Sequence, residues 1–342
     1  AARGDLLPPA IAALGTALLA VSPLAGGTPL MLDYFPLLTG NRLFAAGFGL
    51  ICLALTMAAL RCLAAPAESR ARPRPEALRL SAWAVLMAFL ATLLSAARGA
   101  APAELAWAGG HALLFAHVIM LGHEWTVHGD GAAACSRTPL RLLAAGSTLM
   151  PLIPLSAAPG SAAVLTAYTQ SMSLLLAPPL LWLAWRLHGD PARRPSARGR
   201  LVLRLSLPLF ALGCLLGALI AAPTTLITAH YHATMGAVAI SRMAMAYRQR
   251  DQRDRGASRQ LLCYTAGLAL LAGGLALAAI EGAPRKTAAS ELIVHGPWFV
   301  AGMSISGLGG LVAMLGTGWW VRRVLGAPAG AAGLSTPPEA WR

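Results

Sequence analysis

Along the chain, apolar runs of about 20 residues alternate with short stretches of Arg, Pro and Gly, and ten such runs can be marked. They lie at about 6–24, 43–62, 81–97, 105–122, 140–158, 162–186, 201–222, 224–247, 261–280 and 297–321. Each has the length an α-helix needs to cross a bilayer. Membrane barrels are built from alternating strands of about ten residues, a pattern that these continuous runs do not show. The reading is therefore an all-α, polytopic transmembrane helix bundle forming a single domain over 1–326, without a visible repeat or a separate soluble domain. The Pro- and Ala-rich stretch 327–342 reads as a disordered tail.

Composition narrows the class further. Hydrophobic residues make up 57% of the 342 positions and charged residues only 12%, where soluble domains carry about 25% charged. A soluble enzyme is excluded on that contrast. The net charge of +14 would suit nucleic acid, yet its distribution assigns it to the bilayer. The loops after spans two, four, six and eight, together with Arg3 and the tail, hold 23 of the 27 basic residues; only Arg42, Arg98, Arg285 and Lys286 fall on the other side. Lys and Arg concentrate in cytoplasmic loops, so the partition predicts an even number of spans with both termini in the cytoplasm and no nucleic-acid partner. A bacterial inner membrane is the expected location. Cys52, Cys62, Cys135, Cys214 and Cys263 show no CxxC or CxxCH spacing, so no disulfide framework, zinc site or covalent haem attachment is indicated. The sequence opens on Ala1 and shows no signal peptide, as a piece of a longer chain would.

Within the spans the polar residues that carry chemistry are mostly histidines: His111, His117 and His123 on span four, His230 and His232 on span eight, and His295 entering span ten. Intramembrane ionisable side chains mark functional sites or hold helices together. Counting about 1.5 Å per residue inward from the outer face places His111, His230, His232 and His295 in one outer layer. His123 and His128 lie near the cytoplasmic end, and His188 lies in a loop. At 100° per residue, His230 and His232 leave opposite sides of one helix, so they cannot serve one metal but can hold two planar cofactors, one on each flank. The span-four histidines fan out by about 120° and do not form a three-ligand site. Trp107, Trp125, Trp298, Trp319 and Trp320 read as interfacial anchors. Acidic residues fall in loops or at span ends, with Glu104 and Glu124 flanking span four.

Three stretches resemble the haem-copper oxidase main subunit, especially its divergent bacterial branch. Thr228-Ala-His-Tyr-His-Ala-Thr-Met-Gly-Ala-Val-Ala-Ile-Ser is similar to the family's tenth helix. Trp107-Ala-Gly-Gly-His-Ala-Leu-Leu-Phe is similar to its sixth. Asp33-Tyr-Phe-Pro-Leu-Leu with Leu43-Phe-Ala-Ala-Gly resembles the entrance to its fourth. The resemblance implies that His230 binds a high-spin haem, His232 a low-spin haem, and His111 the active-site copper, making His111 the catalytic candidate and all three metal ligands. It also implies that the twelve-helix family pattern begins here at its third helix. The departures are specific. No His precedes His111 to supply the other low-spin ligand, Ser156-Ala-Ala-Pro-Gly-Ser stands where the family has its copper-binding His pair, and Phe115 stands where many members have Tyr. Tyr168, Thr169, Gln170, Ser171 and Ser173 suit either a proton path or inter-helix hydrogen bonds.

Three functions follow as expectations. The first is a respiratory-chain, oxidase-like subunit with one or two haems and copper, reducing oxygen or nitric oxide with electrons from cytochrome c or quinol beside further oxidase subunits. The second is a degenerate, non-catalytic haem binder, a sensor or assembly factor. The third is a His-lined proton or metal transporter, weakened by the lack of buried carboxylates in the spans.

Overall fold

The computed structural model describes residues 6–26, 28–31, 36–64, 76–129, 137–189, 195–250, 255–285 and 296–326. The 327–342 tail, His295 and the Asp33–Phe35 part of the fourth-helix match lie outside them. The described chain is overwhelmingly helical. Its elements are α1 (Leu7–Val21), β1 (Thr28–Met31), β2 (Pro36–Thr39), α2 (Arg42–Ala64), α3 (Glu76–Ala97), α4 (Pro102–His128), α5 (Arg137–Leu149), α6 (Ile153–Ser156), α7 (Ala162–Ser171), α8 (Ala177–Gly189), α9 (Ala197–Ala218), α10 (Thr225–Gln249), α11 (Arg255–Ala279) and α12 (Pro297–Leu325). The strands form a short antiparallel ribbon pairing Thr28 with Thr39 and Met31 with Pro36, a feature the apolar pattern does not announce. Among the described residues seven helices are long and apolar enough to cross a membrane.

The three remaining expected spans differ from that set for identifiable reasons. The fifth is interrupted after α5 by a tight 3₁₀ turn, Met150–Leu152, and resumes as α6; Pro151 and Pro154 lack the N–H groups that would continue one ladder. The sixth contains a wide π turn at Met172–Leu176 between α7 and α8, followed directly by Pro178 and Pro179. Two missing donors and two ring clashes with preceding carbonyls open the helix there. The eighth, α10, has 25 residues but is not apolar enough to qualify by composition, and 12 of those residues are buried against protein.

Two compact units make up the chain. The first takes in Ala1–His123 and Ala133–Arg186, the second Glu124–Ala132 and Leu187–Ala340. In the first, α1 and α2 cross at two glycines: a Cβ at Gly15 would lie 2.7 Å from the Gly47 carbonyl oxygen, and one at Gly47 2.7 Å from that of Gly15. Asn41, buried ahead of α2, donates from Nδ2 to the Ser22 carbonyl at 2.7 Å and accepts the Phe44 N–H at 2.9 Å. Helix α4 packs on α3 through Ser81, whose Oγ donates to the Ala116 carbonyl at 3.1 Å.

In the second unit, α11 and α12 run antiparallel in close contact. Gly267 faces Gly309, Gly274 faces Gly302 and Gly316 faces Tyr264, the glycines of each helix standing at seven-residue spacing. Small residues let backbones meet where no hydrophobic drive exists between lipid-solvated helices. Buried Gln260 pins the same interface, donating to the Gly316 carbonyl at 2.9 Å and accepting from Tyr247 Oη at 3.2 Å. At the other end Glu281 accepts the N–H groups of Trp298 and Phe299, both at 3.1 Å. It thereby caps α12, whose N-cap Gly296 offers no side chain.

Candidate functional site

The span-eight histidines lie in the first two turns of α10, which starts where Thr224 Oγ1 accepts the Leu226 N–H. Thr225 ties this end to α11 by donating to the Leu275 carbonyl at 2.8 Å. His230 points at α9. Its Nδ1–H donates to the Gly213 carbonyl at 2.6 Å, which fixes the tautomer and leaves the lone pair on Nε2. Among the described residues that Nε2 has no hydrogen-bond partner. The ring lies over Gly217, where a Cβ would sit 2.7 Å from Nδ1 and 2.8 Å from Cε1. At Gly213 a Cβ would meet Thr234 Cγ2 at 2.5 Å. The pair Gly213 and Gly217 thus cuts a notch into α9 that admits the imidazole. A Gly-x-x-x-Gly spacing was present in the sequence as the signal for this close approach. His232 is half-buried, and among the described residues its imidazole makes no hydrogen bond.

His111 belongs to the other unit. Its Nδ1–H donates to the Trp107 carbonyl one turn earlier at 2.6 Å, and its ring lies against the Trp107 indole with centroids 4.4 Å apart. That indole meets buried Tyr168 of α7 edge-on at 5.9 Å. Trp107 is therefore part of an aromatic stack beside His111. Trp125 departs from the expectation of an interfacial anchor: it is 1% exposed, donates to Ser206 Oγ at 2.8 Å and meets Phe210 edge-on at 5.7 Å. Trp298 is exposed and Trp319 more than a third exposed, as anchors would be.

Helix α4 extends to His128, which corrects the expected lack of buried carboxylates. Glu124 is 6% exposed, with Oε1 3.7 Å from Arg242 Nε on α10. One turn further, buried His128 donates from Nε2 to the Ser241 carbonyl at 3.3 Å. The six-residue extension of a helix beyond a run of apolar residues is what sequence reading missed. Of the polar residues in the sixth span, Ser171 is buried and donates to the Tyr168 carbonyl at 2.7 Å, while Thr169 and Ser173 donate to carbonyls of their own helix and are exposed. His117 and His123 are half-buried on α4; His188 lies within α8.

Imidazoles whose Nδ1 is fixed by a backbone carbonyl are the usual form of a haem-iron or metal ligand. His230 fits that description. A copper ion needs several imidazoles in fixed geometry, and among the described residues no three His, Cys, Asp or Glu side chains are grouped to hold a metal. His111 alone does not meet copper's requirement.

No family model matches the chain and no curated protein does. Among solved structures, the chain is similar to a heme-copper terminal oxidase dimer, with a TM-score of 0.60 and 14% identity over 93% of this chain and 68% of that one. The chain has an oxidase-like membrane fold.

Proposed function

We propose that the chain is a haem-binding integral membrane subunit of the oxidase type, with His230 as the axial ligand of one haem and His232 of a second. The observation that carries this reading is the His230 imidazole, held by the Gly213 carbonyl and seated on Gly217 with Nε2 presented for coordination. The opposed directions of His230 and His232 on one rigid turn support two cofactors at a fixed separation. Bound haem would supply the redox chemistry and gas binding. The chain's residues do the rest. Gly213 holds the His230 proton on Nδ1, Gly217 makes room for the ring, and the bundle excludes water. His111, held by Trp107, is the catalytic candidate as a proton-exchanging imidazole; copper is not assigned to it. Oxygen or nitric oxide as substrate, cytochrome c or quinol as donor, further oxidase subunits and a bacterial inner membrane belong to the same proposal.

Absorption spectra of the purified protein test it. A Soret band is expected from haem-replete cells, diminished separately in His230→Ala and His232→Ala. A native protein without that band overturns the reading. A non-catalytic haem binder is the second reading, and it rests on one observation: among the described residues no three His, Cys, Asp or Glu side chains are grouped to hold a metal. Bound haem with no consumption of oxygen or nitric oxide, when reductant is supplied, decides for it.

A further inference from the structure

The arginines around the paired ends of α11 and α12 divide into those the protein itself uses and those it leaves outward. Arg248 donates to the Val127 carbonyl at 3.1 Å, Arg250 to the Val324 carbonyl, and Arg323 lies over the Tyr247 ring. Arg255 and Arg259 on α11 and Arg322 on α12 are exposed, and among the described residues their side chains make no hydrogen bond or ion pair. The sequence holds little to neutralise them: from Arg248 to Arg259 there are five arginines against two aspartates, and α12 ends on Arg322 and Arg323 with no acid beside them. The close contact of the two helices fixes where these cations stand. A Cβ at Gly316 would meet the Tyr264 backbone at 2.9 Å. From that level Arg259, Arg322 and Arg255 lie five, six and nine residues toward the same end, so their backbones fall within about 6 Å of one another along the axis. At 100° per residue, Arg255, Arg259 and Leu262 share one flank of α11, while Leu308, Leu315, Trp319 and Arg322 share one flank of α12. Cys263, one turn from Arg259, donates from Sγ to the Val312 carbonyl, between Leu308 and Leu315, at 3.9 Å, which sets both flanks on the same side of the pair. The opposite side of α11 is buried at Ala257, Leu261 and Leu268.

We propose that this flank binds an anionic phospholipid, with its phosphate among Arg255, Arg259 and Arg322 and its acyl chains along Leu262, Leu308 and Leu315. Charge complementarity selects the headgroup. Three outward guanidinium groups at one level attract a phosphate that carries no ammonium of its own, and each fork matches two phosphate oxygens. A zwitterionic headgroup brings a cation against the arginines and gains less. What lies beyond the cations selects a lipid over free phosphate. The same flank continues as exposed Leu262, Leu308 and Leu315 on two helices that are each long and apolar enough to cross a membrane. Arg255 is the first residue of α11 and Arg322 stands in the last turn of α12, so the cations occupy the ends of both spans. Trp319 lies between them and the leucines, the place an interfacial indole takes at the headgroup boundary.

Native mass spectrometry of the detergent-purified chain tests the headgroup. Phosphatidylglycerol should be retained over phosphatidylcholine with the same acyl chains. Arg259→Gln combined with Arg322→Gln should weaken phosphatidylglycerol binding about thirtyfold, while Arg200→Gln combined with Arg204→Gln, two exposed arginines of α9, should leave it unchanged. A phosphatidylglycerol with a photoactivatable diazirine on one acyl chain tests the groove: cross-links should map to α12 around Leu308 and Leu315 and disappear in the Arg259 and Arg322 pair. Equal retention of the two lipids overturns the proposal, as does an equal loss in the α9 pair, since positive charge anywhere would then suffice. Displacement of the lipid by inorganic phosphate at the same concentration overturns it in favour of a free-anion site. Cross-links confined to other helices overturn it as well. None of these readouts involves haem, so the outcome is independent of the functional proposal.

Discussion

A single methyl group added at Gly217 would occupy the space of the His230 ring, 2.7 Å from Nδ1. The ring must then leave the Gly213 carbonyl and lose the hydrogen bond that orients it. Gly217→Ala is therefore expected to lower the Soret absorbance per mole of protein several-fold, a typical effect of losing the partner that orients a metal-binding imidazole. Gly307→Ala, on a helix surface with nothing within 4 Å of the added carbon, should leave the spectrum unchanged. Glu124 and Arg242 give a second contrast within one ion pair. The Arg side chain is 47% exposed, whereas the Glu side chain is 9% exposed. Arg242→Leu leaves a carboxylate buried without its cation and should lower stability by about 2–3 kcal/mol. Glu124→Leu should lose about 1 kcal/mol or less. Thermal unfolding of the two variants in the same detergent measures the difference, and equal losses would contradict the assigned burial.

Between elements, the α11–α12 contact places two adjacent glycines in opposite situations. A Cβ at Gly274 would lie 2.5 Å from both the Gly302 carbonyl oxygen and the Ser306 nitrogen, while one at Gly273 would meet nothing within 4 Å. Gly274→Ala should force the helices apart and lower the midpoint of thermal unfolding by several degrees. Gly273→Ala should hold it or raise it, since Ala is the better helix former. The seven-residue spacing of Gly302, Gly309 and Gly316 was already visible in the sequence; the helix they meet was not, because spacing defines a face without naming its partner. The Pro178–Pro179 pair likewise carried the information for the π turn that precedes it, although the apolar run read as continuous. His230 stood out in the sequence as a candidate from its position on a helix. Its support did not, since the Gly213 carbonyl is backbone and leaves no side-chain signature. Glu124 was misplaced because helix ends were set where apolar character stopped, while α4 continues into a protein-lined region that tolerates a paired charge.

For the whole molecule, the number of crossings decides how the two ends lie. Seven crossings, the helices long and apolar enough among the described residues, would put the ends on opposite faces. Ten would put them on the same face. The physical case for ten is that length and composition alone underrate helices that are broken or surrounded by protein. The π-turn segment from Ala162 to Gly189 is 28 residues long, about 42 Å at the helical rise. The segment Arg137–Ser156 reaches about 30 Å on the same count, despite its 3₁₀ turn. Helix α10, with 25 residues, is polar on faces that pack on α9 and α11, where hydropathy no longer measures contact with lipid. Charge agrees: only ten crossings leave 23 of the 27 basic residues on one side, and the cytoplasmic excess of Arg is the strongest orienting signal available. We therefore expect epitope tags placed ahead of Leu7 and after Gly326 both to resist protease in intact spheroplasts and both to be cleaved after lysis. A tag inserted in the α11–α12 connection should be cut in the intact cells. Cleavage of one terminal tag alone would establish an odd number of crossings.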